Sequence, residues 1–201
     1  MNLKEFFKQV VALLKKERVR FALAGGLVSS IYRAEERLTK DLDFVILSVS
    51  DTEKTAIRII RSLKLEPTLI RKADLEGGPL FAIKRGRSKP YIVAGRGGKD
   101  SIGLDFILPA MPWFEPALTR AEQNNIDFGF DKVPCLTVED LIVAKFFALK
   151  NDQTRFNDLD DLKSIFLAGH ELDLPYLSGQ MRKFELTVPK PLKNMAPKAL
   201  R

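Results

Sequence analysis

The stretch that decides the fold is residues 25–44, GGLVSSIYRAEERLTKDLDF. The apolar run 19–24 precedes it and predicts a short buried strand, and residues 27–35 predict a helix. A glycine pair between a strand and a helix lets an anion approach the backbone N–H groups at the helix N-terminus, where the helix dipole also favours negative charge. Gly25 and Gly26 therefore predict a phosphate-binding turn.

Two carboxylates follow at the spacing of a strand. Asp41 and Asp43 lead into the apolar run 43–47. Because side chains alternate between the two faces of a strand, both carboxylates are expected to project from one face. Paired carboxylates of this kind suit a divalent cation. A solvated strand edge would also explain Asp-x-Asp alone, but its position after the glycine turn favours a cation site beside a phosphate site.

A third carboxylate lies in a later apolar run. Asp105 interrupts residues 101–108, SIGLDFIL, and a charge inside an apolar strand is costly to bury unless it is paired or bound to a cation. Sites that hold two metal ions for phosphoryl transfer draw oxygen ligands from different strands, so Asp105 predicts a third ligand. The alternatives are an exposed edge position, or an ion pair with Arg20 or Lys40.

A lysine lies within the apolar face of a predicted helix. At about 100° per residue, Lys145 falls at the middle of the apolar arc of helix 138–150. A buried ammonium needs an anion. Asp158 lies on the packed side of the next predicted helix, whereas Asp160 points away and Asp161 lies at the border. Two interpretations remain open: a buried structural pair of Lys145 with Asp158, or a lysine that faces a triphosphate.

These motifs resemble the nucleotidyltransferase superfamily of the DNA polymerase β type, whose pattern is Gly-Gly or Gly-Ser, a helix and then Asp-x-Asp. Residues 25–44 are most similar to its AbiEii-like toxin branch. Residues 136–145, LTVEDLIVAK, and 155–162, RFNDLDDL, look like the later motifs of that branch, although Asn157 replaces its usual Lys. The resemblance covers two parts of the chain, 19–47 and 101–167.

The resemblance implies metal-dependent transfer of a nucleoside monophosphate from an NTP to an acceptor hydroxyl, with release of pyrophosphate. The ligands implied for Mg²⁺, two ions with Mn²⁺ as an alternative, are Asp41, Asp43 and Asp105. The nucleotide-binding residues implied are Gly25, Gly26, Ser29, Lys145 and Asp158. The catalytic residues implied are Asp41, Asp43, Asp105 and Lys145.

The resemblance also bears on the acceptor and the partners. A toxin of this type would act on RNA such as a tRNA 3′ end, or on a protein hydroxyl, and would have an antitoxin protein as its partner. Transfer to a small molecule such as an aminoglycoside is an alternative. A non-catalytic binding module of the same fold is another, but the presence of all three carboxylates disfavours it.

Alternating helices and strands followed by a run of strands predict an α+β fold, and the resemblance makes it a mixed β-sheet nucleotidyltransferase core with flanking helices and a C-terminal helical region. The predicted strands are 19–24, 43–47, 66–70, 80–84, 90–94 and 102–108. The predicted helices are 3–16, 27–35, 51–63, 117–123 and 138–150. We expect a core at 1–136, a helical region at 137–186, and a basic, Pro-rich tail at 187–201 that can be removed without loss of the fold.

Composition bounds the class of protein. Of the formal charge of +7, four come from Lys190, Lys193, Lys198 and Arg201 in the tail. A single cysteine, Cys135, excludes an internal disulfide framework, and no run approaches the roughly 20 apolar residues of a membrane span, so we expect a cytoplasmic protein. A basic run predicts either a solvated hairpin or a surface for triphosphate or RNA. Its members are Lys84, Arg85, Arg87, Lys89, Arg96 and Lys99.

Overall fold

A mixed β-sheet lies at the centre of the computed structural model, which describes residues 2–35, 37–71, 91–99 and 101–201. Its five strands are β1 (Arg20–Ala24), β2 (Asp41–Leu47), β3 (Glu66–Ile70), β4 (Ile92–Arg96) and β5 (Gly103–Ile107). They are ordered β1-β2-β5-β4-β3, with β2 and β5 parallel and the other neighbouring pairs antiparallel. A two-stranded sheet contains β6 (Asn125–Asp127) and β7 (Lys132–Pro134).

Seven α-helices lie in the described part of the chain. They are α1 (Leu3–Lys16), α2 (Gly25–Tyr32), α3 (Thr52–Ser62), α4 (Phe114–Ala121), α5 (Val138–Asn151), α6 (Phe156–Leu167) and α7 (Leu174–Lys183). Side-chain caps begin α1 and α3, because Asn2 and Asp51 each accept a hydrogen bond from a backbone N–H of the first turn. None of these helices has both the length and the hydropathy that a membrane span requires.

The alternation of side chains along β2 separates the core from the other face of the sheet. Leu42 and Phe44 are fully buried, and the Phe44 ring lies 6.0 Å from that of Phe7 in α1. Asp41 and Asp43 occupy the intervening positions of the same strand and are less buried. The helix α1 therefore covers one face of β2, and the two carboxylates lie on the opposite face.

The predicted fold class is confirmed, since helices flank a mixed sheet. Some bounds differ: the second helix runs from Gly25 to Tyr32 instead of 27–35. It ends early because the backbone of Arg33 is extended and its side chain pairs with Asp161 at 2.6 Å, a tertiary contact that local periodicity does not contain. The predicted strand 80–84 lies outside the described residues.

Residues 187–201 pack against the body of the protein. Their apolar side chains recur every fourth residue and are buried; they are Val188, Leu192, Ala196 and Leu200. Two 3₁₀ turns, Lys190–Leu192 and Lys198–Leu200, follow Pro189 and Pro197 and contact α6 and α7. This packing argues against the expectation of a removable tail, because prolines that suggested disorder set turns that direct the apolar residues onto the helices. The boundaries at 136 and 186 stay predictions.

Candidate active site

The register of β2 and β5 brings the three carboxylates together. It aligns Asp43 with Asp105 and Asp41 with Gly103. Because residues in register on neighbouring strands point to the same face, Asp41, Asp43 and Asp105 share one face of the sheet. A Cβ atom at Gly103 would lie 2.2 Å from the Asp41 Oδ1 atom. The absence of a side chain at Gly103 therefore makes room for the Asp41 carboxylate.

The glycine turn closes around Asp43. Gly25 has a φ of +62°, and a Cβ atom there would lie 1.8 Å from the Asp43 Oδ2 atom. The backbone N–H of Gly26 donates a hydrogen bond to the Asp43 carboxylate. Ser29 is fully buried, and its hydroxyl donates to the Gly25 carbonyl oxygen at 2.9 Å. In this conformation the Ser29 hydroxyl faces that carbonyl, so its predicted phosphate contact stays a prediction.

A cavity of about 320 Å³ lies against the carboxylate face of the sheet. Asp43 and Asp105 line one part of it, and Lys145 and Asp158 line another. The remaining wall is largely apolar; it includes Ile70, Ile92, Ile107, Met111, Trp113, Leu136, Leu141 and Phe147. The cavity thus joins an acidic end, an ammonium group and an apolar wall, a combination that can accommodate an anionic ligand with an aromatic part.

Asp43 ionises less readily than an ordinary carboxyl group. Desolvation in the cavity and the neighbouring Asp105 carboxylate raise the pKa of Asp43 to about 6. The positive charge of Lys145 and the Gly26 hydrogen bond oppose that rise but do not cancel it. A bound cation would offset the repulsion that Asp43 experiences from Asp105, so this part of the cavity favours one.

Asp105 is engaged by Arg96 at the end of β4. The Arg96 Nη1 group donates to Asp105 Oδ1, and Nη2 donates to Oδ2 at 2.9 Å. The expected alternative partner Arg20 instead pairs with Glu122 at 2.7 Å. The hydrogen bond to Asp105 raises the pKa of Arg96, and the charges of Asp41 and Asp43 add to the effect. The guanidinium therefore lies in the field of all three carboxylates.

The donors suit Mg²⁺ or Mn²⁺ in type, because hard divalent cations prefer carboxylate oxygens. They also share one face on adjacent strands. Among the described residues, however, no three His, Cys, Asp or Glu side chains are already arranged around one cation position. Both oxygens of Asp105 are engaged by Arg96. The residues therefore fit a divalent cation provided that Arg96 leaves Asp105.

Lys145 is the centre of a buried ionic network. Its Nζ atom lies 2.7 Å from Asp158 Oδ1 and 2.7 Å from Asp161 Oδ2. Asp161, expected at the border of the helix, is instead fully buried and also pairs with Arg33 and Arg37. A helical projection misplaced Asp161 because its partners come from the segment after α2. The available signal was the last Asp of the 155–162 motif, directly before Leu162.

The network keeps its two carboxylates ionised. Burial opposes ionisation of Asp158 and Asp161, but the charge of Lys145, followed by Arg155 for Asp158 and Arg37 for Asp161, lowers the pKa of each. Arg155 also lines the cavity. Lys145 is thus both a member of a buried pair and a cation at the cavity wall, so the two interpretations of this lysine are compatible.

The basic run predicted between residues 84 and 99 is described only in part. Arg96 lies on the sheet and Lys99 is exposed in the loop that follows it. The remaining members lie outside the described residues; they are Lys84, Arg85, Arg87 and Lys89. The choice between a solvated hairpin and a surface for triphosphate or RNA therefore stays open.

Comparison with known proteins gives a family and a fold. A family model described as "Nucleotidyl transferase AbiEii toxin, Type IV TA system" matches residues 11–195. The crystal structure of ANT(2″)-Ia in complex with adenylyl-2″-tobramycin aligns over 90% of this chain and 95% of its own, with 14% identity and a TM-score of 0.57. A solution structure of the antibiotic-resistance factor ANT(2″)-Ia aligns over 89% of each chain, with 16% identity and a TM-score of 0.55. A search of curated proteins gives no match.

Proposed function

The chain belongs to the AbiEii nucleotidyltransferase family, and on that premise we propose that it is a metal-dependent enzyme that transfers a nucleoside monophosphate from an NTP to an acceptor hydroxyl. The observation that carries the proposal is the register of β2 and β5, which aligns Asp43 with Asp105 on the face that lines the cavity with Lys145. A nucleotidyltransferase requires negative ligands for cations and a positive group for the triphosphate in one cleft.

In the proposed reaction the acceptor oxygen forms a bond to the α-phosphorus of the NTP. The bond from that phosphorus to the oxygen that bridges to the β-phosphate breaks, and pyrophosphate leaves. Asp105 accepts the proton of the acceptor hydroxyl. Asp41, Asp43 and Asp105 hold Mg²⁺ or Mn²⁺, which when bound neutralises triphosphate charge and lowers the pKa of the acceptor hydroxyl.

The other cavity residues orient the nucleotide in this proposal. Gly25 and Gly26 approach the phosphates at the start of α2, where backbone N–H groups and the helix dipole favour anions. The Lys145 ammonium stabilises charge on the triphosphate, and Asp158 holds that ammonium at 2.7 Å. The apolar wall with Trp113 and Phe147 takes the nucleobase.

The family suggests an acceptor and a biological role. We propose a toxin that modifies RNA such as tRNA, or a protein, and that is neutralised by an antitoxin partner. The net charge of +7 supports an RNA acceptor, because phosphate contacts dominate RNA binding. Transfer to a small molecule is the rival that the experiment below distinguishes.

The test supplies purified protein and Mg²⁺ with each NTP in turn, labelled at the α-phosphorus, together with total RNA, lysate protein or an aminoglycoside. We expect label in one acceptor class from one or more NTPs, and none when the label is at the γ-phosphorus. Lys145→Met should lose transfer, with Lys8→Met, at an exposed lysine of α1, as its matched control. Binding of NTP without transfer to any acceptor would indicate a non-catalytic module.

A further inference from the structure

Arg96 lies on the same face of the sheet as the three carboxylates. The antiparallel register pairs Ala94 of β4 with Asp105 of β5, so their side chains share a face, and Arg96 is two residues further along β4. A Cβ atom at Gly103 would lie 2.2 Å from Asp41 Oδ1 and 3.2 Å from Arg96 Nη1. The side chains of Arg96 and Asp41 therefore converge over the bare backbone of Gly103.

The contact of Arg96 with Asp105 competes with coordination of a cation by Asp105, because the guanidinium places its positive charge and two N–H donors at the oxygens that a cation would use. The guanidinium uses both oxygens of the carboxylate in a two-pronged pair. Such pairs combine charge with fixed geometry and are stronger than single contacts. The Asp105 side chain is 17% exposed whereas that of Arg96 is 48% exposed. The arginine can thus move into solvent while the carboxylate stays in the cavity.

We propose that Arg96 competes with the metal ion for Asp105. In the metal-free enzyme Arg96 pairs with the Asp105 carboxylate, and it leaves that carboxylate when a divalent cation binds. This inference rests on the proposed metal-dependent function. Arg96 compensates the charge of the carboxylate cluster when no metal is present, and it lowers the affinity for metal by the free energy needed to break its pair with Asp105. Coordination of the cation by Asp105, the third ligand, is therefore coupled to a movement of the Arg96 side chain.

The test measures Mn²⁺ binding to the protein without nucleotide, by the electron paramagnetic resonance signal of free Mn²⁺ and by calorimetry. Arg96→Met should bind Mn²⁺ about tenfold more tightly than wild type, a change of about 1.4 kcal/mol. Arg20→Met is the matched control, because Arg20 lies on the same sheet and forms a half-exposed pair with Glu122. It removes the same unit of charge and should change the Kd by much less.

Two further variants separate competition from a general effect on structure. Arg96→Lys keeps a cation that cannot bridge both oxygens, so its Kd should lie between those of wild type and Arg96→Met. In an Asp105→Asn background, Arg96→Met should no longer tighten binding, because the ligand for which the arginine competes has been removed. Thermal unfolding of each variant verifies that it is folded before titration.

The outcomes distinguish this proposal from the proposed function. If Arg96→Met binds Mn²⁺ no more tightly than Arg20→Met while wild type binds it, competition by Arg96 is wrong and the metal site stands. If the tightening persists in the Asp105→Asn background, competition for Asp105 is likewise wrong. If neither wild type nor any variant binds Mn²⁺, both the competition and the metal assignment fail. Should Arg96→Met not fold, the comparison of Arg96→Lys with Arg20→Lys decides in the same way.

Discussion

Asp43 lies where the glycine turn, the neighbouring strand and the cavity meet. Its carboxylate accepts a hydrogen bond from the Gly26 backbone, faces Asp105 across one strand spacing, and has a pKa of about 6. An acid whose pKa is raised by folding lowers the stability of the folded state once it is ionised, and that penalty disappears as the pH falls through the raised pKa. The ionised Asp43 carboxylate therefore destabilises the fold, a cost that a purely structural role would not explain.

We predict that Asp43→Asn loses at least about a hundredfold in transfer, by analogy with the loss of a single transition-state contact, while its metal-free thermal midpoint equals or exceeds that of wild type. Its free energy of unfolding near neutral pH should rise by about 1–2 kcal/mol, because the penalty for ionisation is removed. Asp41→Asn, on an exposed residue of the same strand, is the control for stability and should leave it unchanged. A clear drop in the midpoint of Asp43→Asn would show that Asp43 stabilises the fold.

A second prediction separates two properties of Gly25: its backbone conformation, with a φ of +62°, and its close packing against Asp43. Gly129 has a φ of +74°, and a Cβ atom there meets nothing within 4 Å. Alanine at either position should cost about 1 kcal/mol of backbone strain. Only Gly25→Ala also forces Asp43 out of place, so it should lose transfer and Mn²⁺ binding while Gly129→Ala keeps both. Equal activity of the two variants would contradict the close packing of the turn on Asp43.

At the scale of elements, the buried ionic network joins three parts of the chain. Asp161 in α6 accepts from Arg33 and Arg37, which follow α2, and from Lys145 in α5. The segment between the glycine turn and β2 is therefore anchored to the helices that form the far side of the cavity. This network fixes the position of β2, which carries Asp41 and Asp43, relative to Lys145. A cleft between the sheet and the helices requires such a fixed spacing.

We predict that Asp161→Asn costs roughly 3 kcal/mol near neutral pH, because it leaves buried cations without their anion. The lowered pKa of Asp161 means that its contribution is complete above the unfolded pKa of about 3.9 and is lost as the pH falls through the lower folded value. The difference in the free energy of unfolding between wild type and variant, measured with urea, should therefore narrow as the pH falls below about 4. Asp160→Asn is the control, since Asp160 is 61% exposed and should contribute less than about 1 kcal/mol.

Sequence periodicity predicted the elements whose bounds depend on local packing. Residues 3–16 and 66–70 form α1 and β3 with the expected bounds. That Asp41 and Asp43 share a face could be predicted as well, because it needs only the alternation of one strand. The burial of Asp161 and the pairing of Arg96 with Asp105 could not, because they depend on which strands are neighbours and on their register, and no local period contains either. The roles of these residues in metal and nucleotide binding stay predictions.

At the scale of the whole molecule, the C-terminal segment belongs to the same hydrophobic core as the sheet. Val188, Leu192, Ala196 and Leu200 join the cluster of buried side chains that includes the residues of α5 and α6. The spacing of four between them was present in the sequence, but prolines and lysines between them obscured it. The charge in this segment is thus presented on the outside of a packed element, where Lys190, Lys193 and Lys198 are exposed.

We predict that deletion of residues 187–201 lowers the free energy of unfolding by at least about 3 kcal/mol, because it uncovers the apolar surfaces of α6 and α7 that these side chains bury. For a chain of this size that corresponds to a fall of roughly 10 °C in the thermal midpoint. The control replaces Lys190, Lys193 and Lys198 by Gln, which removes three charges and keeps every apolar contact. That variant should have the thermal midpoint of wild type and bind RNA more weakly. A truncated protein with the thermal midpoint of wild type would contradict the packing of this segment.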